Sequence, residues 1–177
     1  MERGNVVSNT LKLVTTGVLI GLGVLLPIAF HMVGALGPIF LPMHIPVLIA
    51  GLLLGSKAGF LAEILTPLLS SLLTGMPPVM PTMPMMMVER MTYGVISGYL
   101  YHQQRVSLLL ALIVAMLGGR LMALGAVYVM AVLVQIKLPP IAYITGAFVT
   151  GLPGMAIQLV VVPLLVRRLS VLIKNKV

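Results

Sequence analysis

Residues 41–55 read Leu41-Pro-Met-His-Ile-Pro-Val-Leu-Ile-Ala-Gly-Leu-Leu-Leu-Gly55. The run carries no charged side chain. Pro46 suits the first position of a helix, where its missing N–H would have no partner anyway. A helix from Pro46 to Gly55 is about half the roughly 20 residues that cross a bilayer. Part of the preceding stretch, His31 to Ile45, must therefore lie at membrane depth. That stretch is interrupted by Gly34, Gly37, Pro38 and Pro42. Non-helical backbone at that depth survives only where protein buries it or where it lines a cavity.

Working outward, the composition agrees with a membrane setting. The chain of 177 residues is 60% hydrophobic and 8% charged, with 11 basic and 3 acidic side chains and a net charge of +8. A soluble domain carries about 25% charged residues. So few charges cannot cover a water-facing surface, which excludes a soluble enzyme, and so much apolar content excludes a disordered chain. A nucleic-acid binder would show its charge on a surface with aromatics for stacking. Here Trp is absent and Tyr and Phe number five and four. There is no cysteine, hence no disulfide framework or thiolate site. No phosphate-binding GxxxxGK[ST] loop, nucleophile elbow or HExxH is present. The chain carries no cofactor motif and reads as a non-enzyme.

The expected fold is all-α: one domain, 1–177, a bundle of six transmembrane helices with irregular outer loops. The spans are Leu11–Phe30, Pro46–Gly55, Ala58–Thr74, Met85–Tyr101, Val106–Val134 and Ile141–Val166, followed by a basic tail, Arg167–Val177. At about 20 residues per helix, six helices use about 120 and leave no room for an ATP-hydrolysing domain. The first run is too long for a signal peptide and lacks a small-x-small cleavage site, so it reads as a retained helix. With both termini in the cytoplasm, Arg3, Lys12, Lys57, Arg105, Arg167, Arg168, Lys174 and Lys176 fall inside and only Lys137 outside. That asymmetry obeys the positive-inside rule. The basic residues are then mostly topology signals of a multi-pass protein of the cell membrane.

Glu63, Glu89, Arg90 and Arg120 remain within the spans. Charges there cost at least about 2.5 kcal/mol each at the helix centre and must face the bundle or a cavity. Gly59, Glu63, Thr66, Ser70 and Thr74 share one helix face at steps of three or four. Glu89, Tyr93 and Ser97 share a face of the next helix, with Arg90 turned about 100° away. Two readings compete. Either the arginines pair with the glutamates and fix the bundle, or at least one of them meets an anionic solute in an outward-facing cavity. With two acids and one arginine satisfying each other, Arg90 is left as the candidate ligand contact, followed by Arg120. Glu63, nearer the cytoplasm, reads as structural. His44 can bind a ligand or cap backbone groups. His31 and His44 are too few for a metal site, and His102 reads as a solvated turn residue.

The segment Gly75-Met-Pro-Pro-Val-Met-Pro-Thr-Met-Pro-Met-Met-Met87 holds six of the 14 methionines and four prolines. Met adapts to varied apolar surfaces. A lid over a small-molecule site competes with an ordinary interface loop. Small-xxx-small pairs recur, at Gly17/Gly21, Gly55/Gly59, Gly94/Gly98, Ala115/Gly119 and Ala147/Gly151, and permit close helix approach. Gly17 and Gly21 stand on a helix with no buried polar residue, which marks them as a docking surface for another membrane protein.

The run Leu41–Gly55 with Gly59 and Thr66-Pro-Leu-Leu-Ser-Ser-Leu-Leu-Thr-Gly-Met-Pro-Pro78 resembles the substrate-binding (S) components of energy-coupling-factor (ECF) vitamin transporters. The resemblance implies a vitamin or precursor held in the outer half, beneath the loops between helices 1 and 2 and helices 3 and 4. It also implies docking through small residues of helix 1 onto a membrane coupling protein, with two ATPase subunits driving release. Gly17 and Gly21 stand where that family typically has alanines. An arginine near the cavity suits a carboxylate, which leans toward a pantothenate-like acid. A benzimidazole-type cobalamin precursor and a pyridoxine-like vitamin stay open. The expected substrate contacts are His44, Met76, Glu89, Arg90, Tyr93 and Arg120. An autonomous secondary transporter or channel is the alternative.

Overall fold

The computed structural model describes residues 9–32, 37–133 and 140–174. All regular structure among them is helical. Six longer helices, α1 (Asn9–Met32), α3 (His44–Leu54), α4 (Ser56–Thr74), α5 (Thr82–Gly98), α6 (Leu108–Leu133) and α7 (Pro140–Lys174), are joined by a one-turn helix, α2 (Gly37–Phe40). A π turn, Tyr99–Gln103, finishes α5. By length and composition, Asn9–Phe30, Leu108–Leu133 and Phe148–Leu172 are long and apolar enough to cross a membrane, and α3 is a shorter apolar helix.

Several boundaries differ from those read in the sequence, mostly around proline. Helix α1 continues through Pro27 to Met32. Helix α3 begins at His44, so Pro46 sits within its first turn and not at its start. Helix α5 begins at Thr82 and contains Pro84. First-turn N–H groups have no intrahelical partner, so a proline there removes nothing. Helix α7 runs through Pro153 and Pro163 to Lys174, so Arg167 and Arg168 extend a helix that was expected to end at Val166. Arg3, Gly34, Lys137 and Lys176 lie outside the described residues, as does the side chain of His31.

Helix α3 is the axis of the bundle. It packs against α1, α4, α5 and α7. Val47, Leu48, Ala50 and Leu52 are fully buried. A helix that is apolar all round belongs in an interior, which is why eleven residues too few to span suffice here. Around it, α1, α4, α5, α6 and α7 follow one another, and α2 touches both α7 and α1.

Between helices embedded in lipid, close approach replaces the hydrophobic drive. Three glycines from three helices meet at one crossing. A Cβ on Gly51 of α3, or on Gly59 of α4, would lie 2.7 Å from the carbonyl oxygen of Gly94 on α5. A Cβ on Gly98 would lie 2.5 Å from the backbone nitrogen of Ser56. Gly119 of α6 lies against the ring of Tyr93 in the same manner. These contacts hold α5 close between α4 and α6. Gly55, at φ 98°, reverses the chain between α3 and α4 in a region that side chains with a Cβ avoid.

The two ends of the bundle differ in charge. Lys12, Lys57, Arg105, Arg167 and Arg168 lie at the end that holds Gly55, because they occupy the starts of α1 and α4, the α5–α6 turn and the last turns of α7. At that end a ring N–H of His102 donates to the carbonyl of Leu52, 2.9 Å away. His102 is therefore a cap on the last turn of α3, whose carbonyls have no helical partner. His102 is exposed, as expected of a turn residue, and makes this contact as well.

Candidate functional site

The opposite end of the bundle encloses a cavity of about 760 Å³. Its walls come from the last turns of α1 and α4, the α2–α3 turn, the segment 76–86, the middle and outer part of α6, and Thr150 of α7. The volume falls within the range of about 300–1,000 Å³ usual for small-molecule sites.

The sequence of α4 ends in polar residues that shape the rim. Ser70 donates to the carbonyl of Met76 at 2.7 Å, and the Thr74 hydroxyl donates to the carbonyl of Ser70 at 2.7 Å. Gly75, at φ 72°, donates its N–H to the carbonyl of Ser71. The chain is thereby turned so that Met76, Pro77 and Pro78 come over the cavity, with Met85 and Met86 following from the first turn of α5. Part of the Pro/Met segment thus lines the cavity.

On another wall, Leu41 takes φ 50°, a left-handed conformation uncommon for residues with a Cβ. Its carbonyl accepts from the N–H of His44 at 3.0 Å and from the side chain of Gln158 on α7 at 3.4 Å. This turn presents His44 to the cavity. His44 is 3% exposed, and its Nδ1 has no hydrogen-bond partner among the described residues.

Glu63, Glu89, Arg90 and Arg120 form two pairs, one on each side of α5. Arg90 Nε lies 3.0 Å from Glu63 Oε2 of α4. Arg120 Nη1 of α6 lies 2.9 Å from Glu89 Oε1. Glu89 and Arg90 are neighbours in sequence, and the turn of about 100° per residue sends one toward α6 and the other toward α4. The expectation that Arg90 would be left without an acid is corrected. Each arginine has its own glutamate, because α5 lies between the helices that supply the partners.

The two pairs differ in exposure. Arg90 and Glu63 are fully buried, and Arg90 Nη2 donates to the carbonyl of Met43 at 3.2 Å. Neither residue lines the cavity. Glu89 and Arg120 line it, with side chains 10% and 11% exposed. Tyr93 stands behind, 1% exposed, its hydroxyl donating to Glu89 Oε1 at 2.6 Å and its ring 5.6 Å from the ring of His44. Of the six expected contacts, His44, Met76, Glu89 and Arg120 meet at one cavity. Arg90 and Tyr93 support it from behind.

Sequence reading missed Leu41, Gln158 and Thr150. Gln158 had a visible signal, a lone amide in the apolar run of α7. The positive φ of Leu41 had none. Among the described residues, no group of three or more His, Cys, Asp or Glu gathers that could hold a metal ion.

Gly17 and Gly21 sit on a face of α1 that none of the described residues covers. A Cβ at either meets nothing within 4 Å.

A model of the family described as ECF transporter, substrate-specific component, matches residues 11–166. No curated protein and no solved structure matches the chain. The match covers most of the chain, including all but the first two residues of α1, α2 to α6, the Pro/Met segment and every residue of the cavity named above. Subunits of this kind sit in the membrane, bind a transported substrate without catalysing a reaction, and work with the other components of an ECF module. The chain belongs to the family of ECF transporter substrate-specific components.

Proposed function

We propose that this chain is the binding subunit of an ATP-driven importer for a vitamin or vitamin precursor, and that the solute occupies the cavity between the Pro/Met segment and the Glu89–Arg120 pair. The observation that carries the reading is the cavity itself: about 760 Å³, mostly apolar walls, and a few polar groups among them. In this reading the chain crosses the membrane six times. The end with Lys12, Lys57, Arg105, Arg167 and Arg168 faces the cytoplasm, which puts both termini inside and the cavity outside. Energy comes from two ATPase subunits through a membrane coupling protein that docks on α1 at Gly17 and Gly21. The vitamin chemistries in view are a pantothenate-like carboxylate, a benzimidazole-type cobalamin precursor and a pyridoxine-like vitamin.

The test is uptake in proteoliposomes. The chain alone should bind its solute and transport nothing, and uptake should require the coupling protein, both ATPases and ATP. Transport by this chain alone under an ion gradient, abolished by changing Glu63 or Glu89, would establish an autonomous secondary carrier in its place.

A further inference from the structure

The charges around the cavity cancel. Arg120 stands against Glu89, and Arg90 against Glu63, at 2.9 and 3.0 Å. Two cations meet two anions, and among the described residues that line the cavity His44 is the only other ionisable side chain. An anionic solute would arrive without a free counter-charge and would have to displace Glu89 from Arg120. Burying an ion without a partner is strongly unfavourable. An uncharged solute meets no such penalty.

The hydrogen-bonding capacity left at the site is mixed. The Glu89 carboxylate accepts from Tyr93 and Arg120 through Oε1. A carboxylate has about four lone-pair sites, so it can take a further donor. Arg120 Nε and Nη2 are buried and have no hydrogen-bond partner among the described residues, and the same holds for His44 Nδ1. The hydroxyl protons of Ser70, Thr74 and Thr150 are already given to backbone carbonyls. Among the described residues, no Phe, Tyr or Trp lines the cavity. Its contacts with a flat ring would be Met and Pro surfaces.

Resting on the solute-binding reading above, we propose that the cavity selects a solute with no net charge. That solute offers an N–H or O–H donor to Glu89, an acceptor to Arg120 and a second polar contact to His44, with the rest of its surface apolar. This turns the lean toward a carboxylate around: the arginine that reaches the cavity is already neutralised by its own glutamate.

The experiment is affinity-selection mass spectrometry on the purified full chain. The probe is an equimolar panel of water-soluble vitamins and precursors, with pantothenate as the carboxylate and benzimidazole as an uncharged donor–acceptor ring. The panel member found is then titrated against wild type and Glu89→Gln. We expect an uncharged binder whose affinity falls about fivefold or more in Glu89→Gln, because a carboxamide accepts more weakly than a carboxylate. The substitution retains an acceptor for Tyr93. A carboxylate as the binder, or tighter binding to Glu89→Gln because Arg120 is freed, overturns the charge assignment while leaving the solute-binding reading intact. If no panel member binds and nothing co-purifies with the wild-type protein, the solute-binding reading falls and the assignment falls with it.

Discussion

The guanidinium of Arg90 and the carboxylate of Glu63 meet at 3.0 Å with neither side chain exposed. Removing one member of such a pair strands a charge in the interior and costs about 3–5 kcal/mol. Replacing both with apolar residues of similar size removes that penalty. We therefore expect Arg90→Met and Glu63→Met each to lower the thermal midpoint in detergent by about 10 °C. The double substitution should recover most of the loss. A single Arg90→Met variant that melts like wild type but loses solute binding would move Arg90 from the frame of the bundle into the site.

The glycine crossing makes a sharper steric prediction. A side chain at Gly59 or Gly94 must displace backbone, since the Cβ would fall within 2.7–2.8 Å of backbone atoms on the facing helix. Gly59→Leu and Gly94→Leu should yield little folded protein on size-exclusion chromatography. Gly125 has nothing within 4 Å of an added Cβ. Gly125→Leu should elute and melt like wild type.

Gly17 and Gly21 separate docking from binding. Because an added Cβ at either meets open space, Gly17→Trp and Gly21→Trp should leave the fold and solute affinity unchanged. If α1 is the docking face, the same variants should abolish ATP-dependent uptake in reconstituted vesicles. Unchanged uptake would place docking on another face.

His102 introduces a mild pH dependence at the charged end. Burial holds its pKa below the ordinary 6.5; the Leu52 carbonyl acts in the opposite direction, and Lys12 adds to the lowering. The fold thus favours the neutral ring, whereas the unfolded chain takes up a proton near 6.5. The stabilising contribution is complete above about pH 6.5 and is lost as pH falls below it. The thermal midpoint should drop slightly between pH 7.5 and 5.5, and His102→Gln should reduce that drop. An identical pH profile in the variant would mean that the cap does not titrate with folding.

Much of this protein was legible in one dimension. Sparse charge and long apolar runs require a helical membrane bundle, since only helices and closed barrels satisfy backbone groups in lipid. The step of three to four residues put Glu63, Thr66 and Ser70 on a single buried face of α4. The Pro/Met segment and the brevity of α3 announced a cavity at one end. Proline misled the helix boundaries, because a proline in a first turn or among membrane helices interrupts less than its chemistry suggests.

What the sequence alone determined was the class: an all-α membrane chain with four charges that had to face inward. Only tertiary structure decided which charge meets which. Glu89 and Arg90 are adjacent in sequence, and Arg90 stood there as the first candidate for a ligand contact. The position of α5 between α4 and α6 sends Arg90 into a sealed pair with Glu63 and sets Glu89 and Arg120 on the cavity. Helical period fixes the angle between two side chains, but the helices on either side fix what each of them meets.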